Sequence, residues 1–186
     1  MDTLKRTFAA FVEILEVAGI AVITVLLVRS FLVQPFLVSG ESMSPNFSNG
    51  DYLLVDELTY RFRAPERGEV MVFKYPKDET TYFIKRVIGL PGEKIQVNDG
   101  RVTVFNNQNQ EGQVLGESYL PRGVVTNSNG ELISLGKDEY FVLGDNRSAS
   151  FDSRSWGVLK TGEIIGLARF RLWPVGNIRA FAAPSY

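Results

Sequence analysis

Between Val17 and Val28 the chain carries no charge, and Thr24 is its single polar side chain. Such a run must be buried, either in a protein core or in a bilayer. Extended to residues 14–33, it is interrupted by Arg29-Ser30 and resumes at Phe31-Leu32-Val33. About 20 residues at ~1.5 Å rise cover the ~30 Å hydrocarbon core, so one transmembrane helix is expected over 14–33. Arg29 would then lie near one end and reach toward the headgroups, with Glu13 and Glu16 on one helix face near the other. Lys5 and Arg6 favour a cytoplasmic tail over 1–13, which leaves 34–186 as a domain on the far side. A buried core helix and a cleaved leader are the alternatives. Val28-Arg29-Ser30 lacks the small-x-small pattern of a leader's cleavage site.

After Pro35 the texture changes to short apolar runs separated by turns. Tyr52–Val55, Val70–Phe73, Tyr82–Ile88, Tyr140–Leu143 and Ile164–Leu172 read as strands. Asp99-Gly100 between two alternating runs signals a two-residue hairpin, and Leu90-Pro91-Gly92-Glu93 suits a type II turn. No long amphipathic helix follows residue 35, so the expected fold is a mainly β, antiparallel domain after one N-terminal helix. Asn106–Gly130 is polar and turn-rich and reads as a surface insertion.

The chain has no histidine and no cysteine. Imidazole-based triads, thiol nucleophiles, disulfides and the usual zinc ligands are therefore excluded. A hydrolase built from this alphabet needs a hydroxyl, carboxylate or lysine nucleophile, or a metal on carboxylates. Its base must be an amine or a carboxylate. The formal net charge of −1 gives no basic excess to hold a nucleic-acid backbone.

Three segments could carry chemistry. In Val38-Ser39-Gly40-Glu41-Ser42-Met43-Ser44-Pro45, glycine permits close backbone approach beside hydroxyls, although a plain turn or linker has the same composition. In Tyr82–Ile88, strand alternation puts Lys85 on a face with Phe83 and Val87. Lost hydration there would lower the amine's pKa toward the range of a general base. A strand lysine whose head reaches solvent is the simpler reading of those residues alone. Gly144–Arg154 packs two acids, two arginines and several hydroxyls into one loop, which Asx turns and ion pairs would also explain.

Together these pieces resemble the bacterial type I signal peptidases, a family of Ser/Lys proteases. The match runs through Ser39–Pro45, Arg67–Phe73, Tyr82–Glu93 and Gly144–Gly157, in the family's order. The resemblance implies that Ser42 is the nucleophile and Lys85 the general base, with Ser150 orienting the lysine. It implies Asp145 with Arg86, and Asp152 with Arg154, as ion pairs shaping the site. Some members carry a serine hydroxyl for the oxyanion hole two residues before the nucleophile; here that position is Gly40. Val38, Met43, Phe83 and Ile84 would wall pockets for small side chains. The implied substrates are exported preproteins, cut after small residues at positions −3 and −1. The implied setting is the bacterial plasma membrane, single-pass, with the catalytic domain outside and touching lipid. No cofactor, metal or nucleic acid is expected. Self-cleaving repressors share the dyad but carry a DNA-binding module that is not evident here. A tethered β domain that binds peptides without cutting them is the rival from another class.

Overall fold

The computed structural model describes the backbone of residues 2–31 and 33–184, and the side chains of residue 6, residues 10–25 and residues 34–184. A helix, α1 (Asp2–Phe31), precedes strand β1 (Val33–Leu37). Among the described residues no helix is long and apolar enough to cross a membrane. Part of the expected span, the side chains of 26–33 with Arg29 among them, lies outside the described residues, as does the side chain of Lys5.

The remaining strands are β2 (Tyr52–Asp56), β3 (Val70–Tyr75), β4 (Asp78–Gly89), β5 (Lys94–Asn98), β6 (Arg101–Phe105), β7 (Gln113–Val114), β8 (Leu132–Ser134), β9 (Glu139–Leu143), β10 (Leu159–Lys160), β11 (Ile164–Trp173) and β12 (Arg179–Ala180). Two short α-helices, α2 (Thr59–Phe62) and α3 (Ser153–Trp156), and two 3-10 turns at Thr161–Glu163 and Val175–Asn177 accompany the strands. The larger sheet runs β1-β2-β11-β3-β4-β9-β10, with β12 beside β11, and the smaller runs β7-β6-β5-β8. Every pairing among the described residues is antiparallel.

Alternation in the sequence becomes alternation in burial. Leu53 and Val55 of β2, Ile95 and Val97 of β5, and Val102 and Val104 of β6 point inward while their neighbours do not. Val70–Phe73 of β3 is buried on both faces, which is why that run is continuously apolar. The β5–β6 hairpin turns at Asp99 and Gly100, both at positive φ, as a primed turn demands. The turn at Leu90–Glu93 closes through Glu93 N–H to the Leu90 carbonyl, 3.2 Å.

The 106–130 segment lies mostly at the surface between β6 and β8, as expected, but it is also tied into the domain. It contributes β7, buries Leu115 in the core of Ile88, Ile95 and Phe141, and returns Thr126 to full burial. Arg147, from the loop after β9, donates to Glu117 and Thr126. A buried guanidinium needs charged partners, and the segment supplies one. Its polarity is thus partly internal.

Candidate active site

Ser42 stands in the turn after β1. Two hydrogen bonds close the base of that turn, Val38 N–H to the Asp51 carbonyl and Gly50 N–H to the Val38 carbonyl, both 2.9 Å. Met43 and Phe47 insert into a core with Leu53, Val70 and Ala168. Apolar anchors behind the turn leave Ser42 half-exposed at its tip. Gly40 takes φ +97°, a conformation that favours glycine.

Lys85 reaches the same point from β4. It is paired with Met71 of β3 on one side and stands one residue before β4 gains β9 as its second neighbour, at Arg86–Leu143. Its Nζ donates to Ser42 Oγ at 2.8 Å and to the Ile84 carbonyl at 2.9 Å, and lies 5.1 Å from the centre of the Phe83 ring. Only 3% of the residue is exposed. Burial lowers its pKa from 10.5 to about 8, against a smaller upward pull from the Asp152 and Asp145 carboxylates.

The loop after β9 backs this pair. Asp145 binds Arg86 through two hydrogen bonds, 2.8 Å and 2.6 Å, and Asn46 donates to the same carboxylate at 2.8 Å. Arg86 also donates to the Gly68 carbonyl and stacks on Tyr119, 4.0 Å from the ring centre. Asp152 pairs with Arg154 at 2.8 Å and 2.7 Å and accepts from Gly144 N–H. Both expected ion pairs are therefore formed. The Asp145–Arg86 pair is nearly dry on both sides, and removing one member strands the other charge. Asp145→Ala is expected to destabilise the domain by about 3–5 kcal/mol in chemical denaturation, with little recovery from added salt.

A cleft of about 360 Å³ opens between β1 and β4 in front of Ser42 and Lys85. Val38, Phe83 and Ile84 line it as expected. Met43 does not: it is 1% exposed, faces the core, and receives the Asp145 N–H on its sulfur at 3.4 Å. A thioether behind Ser42 fills space there rather than bounding the cleft. Phe36 and Tyr82 were missed as a pair; their rings meet across the cleft at 5.5 Å. They sit on strands that do not pair, and no local pattern connects them.

Two other expected residues are placed less simply. Gly40 N–H donates to Asn49 Oδ1 at 3.0 Å, so it is occupied and not a spare oxyanion donor. Ser42 N–H has no acceptor among the described residues. The Ser150 hydroxyl is buried without a hydrogen-bond partner among the described residues, pressed against Gly144.

An antiparallel β domain with a serine hydroxyl on a desolvated lysine amine, beside a cleft between unpaired strand edges, has the build of a serine peptidase. The chain belongs to the signal peptidase family, peptidase S26, whose model matches residues 11–173. It is 36% identical over 180 residues to signal peptidase I of Leptolyngbya laminosa, covering 92% of this chain and 84% of the relative. It is 33% identical to signal peptidase IB of Staphylococcus aureus, covering 90% and 93%. A crystal structure of a signal peptidase I from Enterococcus faecalis aligns with 56% of this chain and 97% of its own at 30% identity, with a TM-score of 0.47.

Proposed function

We propose that this chain is a signal peptidase I that cuts N-terminal signal peptides from exported preproteins, after small residues at −3 and −1. Ser42 is its nucleophile and Lys85 its general base. The observation carrying this reading is the 2.8 Å contact between Lys85 Nζ and Ser42 Oγ.

The neutral amine of Lys85 takes the Ser42 proton as Oγ attacks the scissile carbonyl carbon. Negative charge develops on the carbonyl oxygen, toward which Ser42 N–H is free to donate. As the C–N bond breaks, the Lys85 ammonium returns its proton to the departing amine. Water then attacks the acyl-Ser42 ester, giving a proton to the same amine; as the acyl C–Oγ bond breaks, Lys85 passes that proton to Ser42 Oγ, and the signal peptide leaves as a carboxylic acid that ionises to solvent. Arg86, Asp145, Asp152 and Arg154 hold the loop in place; Ser150, whose hydroxyl makes no bond to Lys85 here, keeps the lysine-orienting role that the family resemblance implies.

Substrate enters as an extended strand. Among the described residues β1 pairs only with β2, and β4 pairs only with β3 up to Lys85, so two free edges face the cleft. Val38, Phe83 and Ile84 leave room for alanine-sized groups. The segment 14–33 anchors the enzyme in the plasma membrane with the domain outside. Leu37, Tyr52 and Trp173 lie in register across β1, β2 and β11, all exposed, and suit contact with lipid.

The test is incubation of the purified protein in detergent with a preprotein, followed by mass spectrometry of the new N-terminus. A single cut after a small-x-small sequence is expected; no cut, or cuts without that pattern, would overturn the reading. The pH dependence has a definite sign. The active form is neutral Lys85, so the rate rises with pH to a plateau, with its midpoint near the pKa of about 8. Below that midpoint it falls about tenfold per unit.

A further inference from the structure

The oxyanion donor, Ser42 N–H, belongs to the peptide group joining Glu41 to Ser42. That peptide is trans, so its carbonyl and its N–H point in opposite directions. Whatever fixes the Glu41 carbonyl therefore aims the Ser42 N–H. Two donors do so: Ser44 N–H from within the turn at 3.1 Å, and from outside it the side chain of Asn146, whose Nδ2 donates to the Glu41 carbonyl at 3.1 Å. The backbone N–H of the same residue donates to the Ser42 carbonyl at 3.0 Å. Asn146 thus grips the carbonyls on both sides of the nucleophile. Its own amide is oriented by Ser148, whose hydroxyl donates to Asn146 Oδ1 at 3.1 Å.

We infer that Asn146 is a positioning residue for the oxyanion hole, acting through the Glu41–Ser42 peptide rather than through Lys85. A donor on the carbonyl holds the peptide plane against rotation and polarises it, which makes its N–H a stronger donor to the developing negative charge. Lys85 bonds Ser42 Oγ and the Ile84 carbonyl, whereas Asn146 bonds the Glu41 and Ser42 carbonyls and Ser148. Loss of the Asn146 amide should therefore weaken transition-state binding while the base keeps its protonation behaviour. This inference rests on the proposed Ser42/Lys85 peptidase activity.

The experiment compares wild type, Asn146→Ala and Asn146→Gln in detergent with one preprotein, recording kcat, KM, the pH midpoint and thermal unfolding. Asn146→Ala keeps the backbone bond to Ser42 and loses only the side-chain donor. Its kcat is expected to fall about 10- to 100-fold, with KM within about twofold and the pH midpoint in place, and Asn146→Gln to recover part of the loss. An unchanged kcat would overturn the inference. So would a fall accompanied by a shifted pH midpoint or a proportionate rise in KM, since either places the effect elsewhere. If Asn146→Ala does not fold, Ser148→Ala carries the test: it leaves the donor but unties it, and a severalfold fall in kcat with an unmoved midpoint is required. Failure of the wild type to cleave any preprotein would instead sink the functional reading on which the inference stands.

Discussion

Lys85→Met is expected to lose preprotein cleavage by about 10⁴-fold or more while remaining folded. Methionine keeps the length and apolar stem of lysine and removes the amine. Among the described residues nothing is then left at hydrogen-bond distance from Ser42 Oγ that can accept its proton, because that hydroxyl's partner is Lys85 Nζ. The folded state should tolerate the change. Lys85 is 3% exposed, and desolvation is the leading cause of its lowered pKa. A thioether in that space has no hydration to lose. Lys85→Arg separates charge from basicity: guanidinium fills the site but stays protonated, so it should be equally inactive. Preprotein turnover and thermal unfolding measured on both variants check this. Appreciable turnover by the arginine variant would end the amine-base mechanism.

Gly144→Ala is the second change with a large expected effect, and its cause is steric. A Cβ on Gly144 would come inside 3.0 Å of Ser150 Oγ, Ser150 Cβ and the Ser42 carbonyl oxygen. The backbone on either side cannot retreat freely. Gly144 N–H is tied to Asp152 Oδ2 at 3.0 Å, and the Ser42 carbonyl is held by Asn146 N–H. The added methyl must push the Ser42 turn away from the loop, and so displace Ser42 from Lys85. A misplacement of about 1 Å costs about 10²-fold in rate, and overpacking about 1–3 kcal/mol in stability. Both losses are expected, measured as kcat on a preprotein and as the denaturation midpoint. Wild-type kcat in this variant would show that the loop does not set the position of Ser42.

Much of the domain was legible beforehand because β structure writes itself locally. Alternation in Tyr52–Val55 and in the 95–104 hairpin, and the unbroken run Val70–Phe73, reflect which faces are buried, and the strands formed there. Lys85 was visible as a cation on an apolar face between Phe83 and Val87. Residues 106–130 were not legible in the same way. Glu117 and Thr126 look like ordinary loop residues until the distant Arg147 arrives to bind them. Met43 was misplaced for a related reason: a side chain next to a nucleophile is as easily behind it as beside the substrate, and only packing against Phe47 and Leu53 decides.

The sequence by itself determined which chemistry was open to this protein. With no imidazole and no thiol, a hydroxyl, carboxylate or lysine nucleophile or a metal on carboxylates remained; the family resemblance pointed to the hydroxyl–amine pair, and strand periodicity placed the amine on an apolar face. Tertiary structure alone decided that the pair meets, 43 residues apart in the chain, and that the amine is poised near neutrality. The reason is that a pKa is set by the water a group has lost and the charges around it. Both depend on atoms that distant segments bring together, here β1, β4 and the loop after β9.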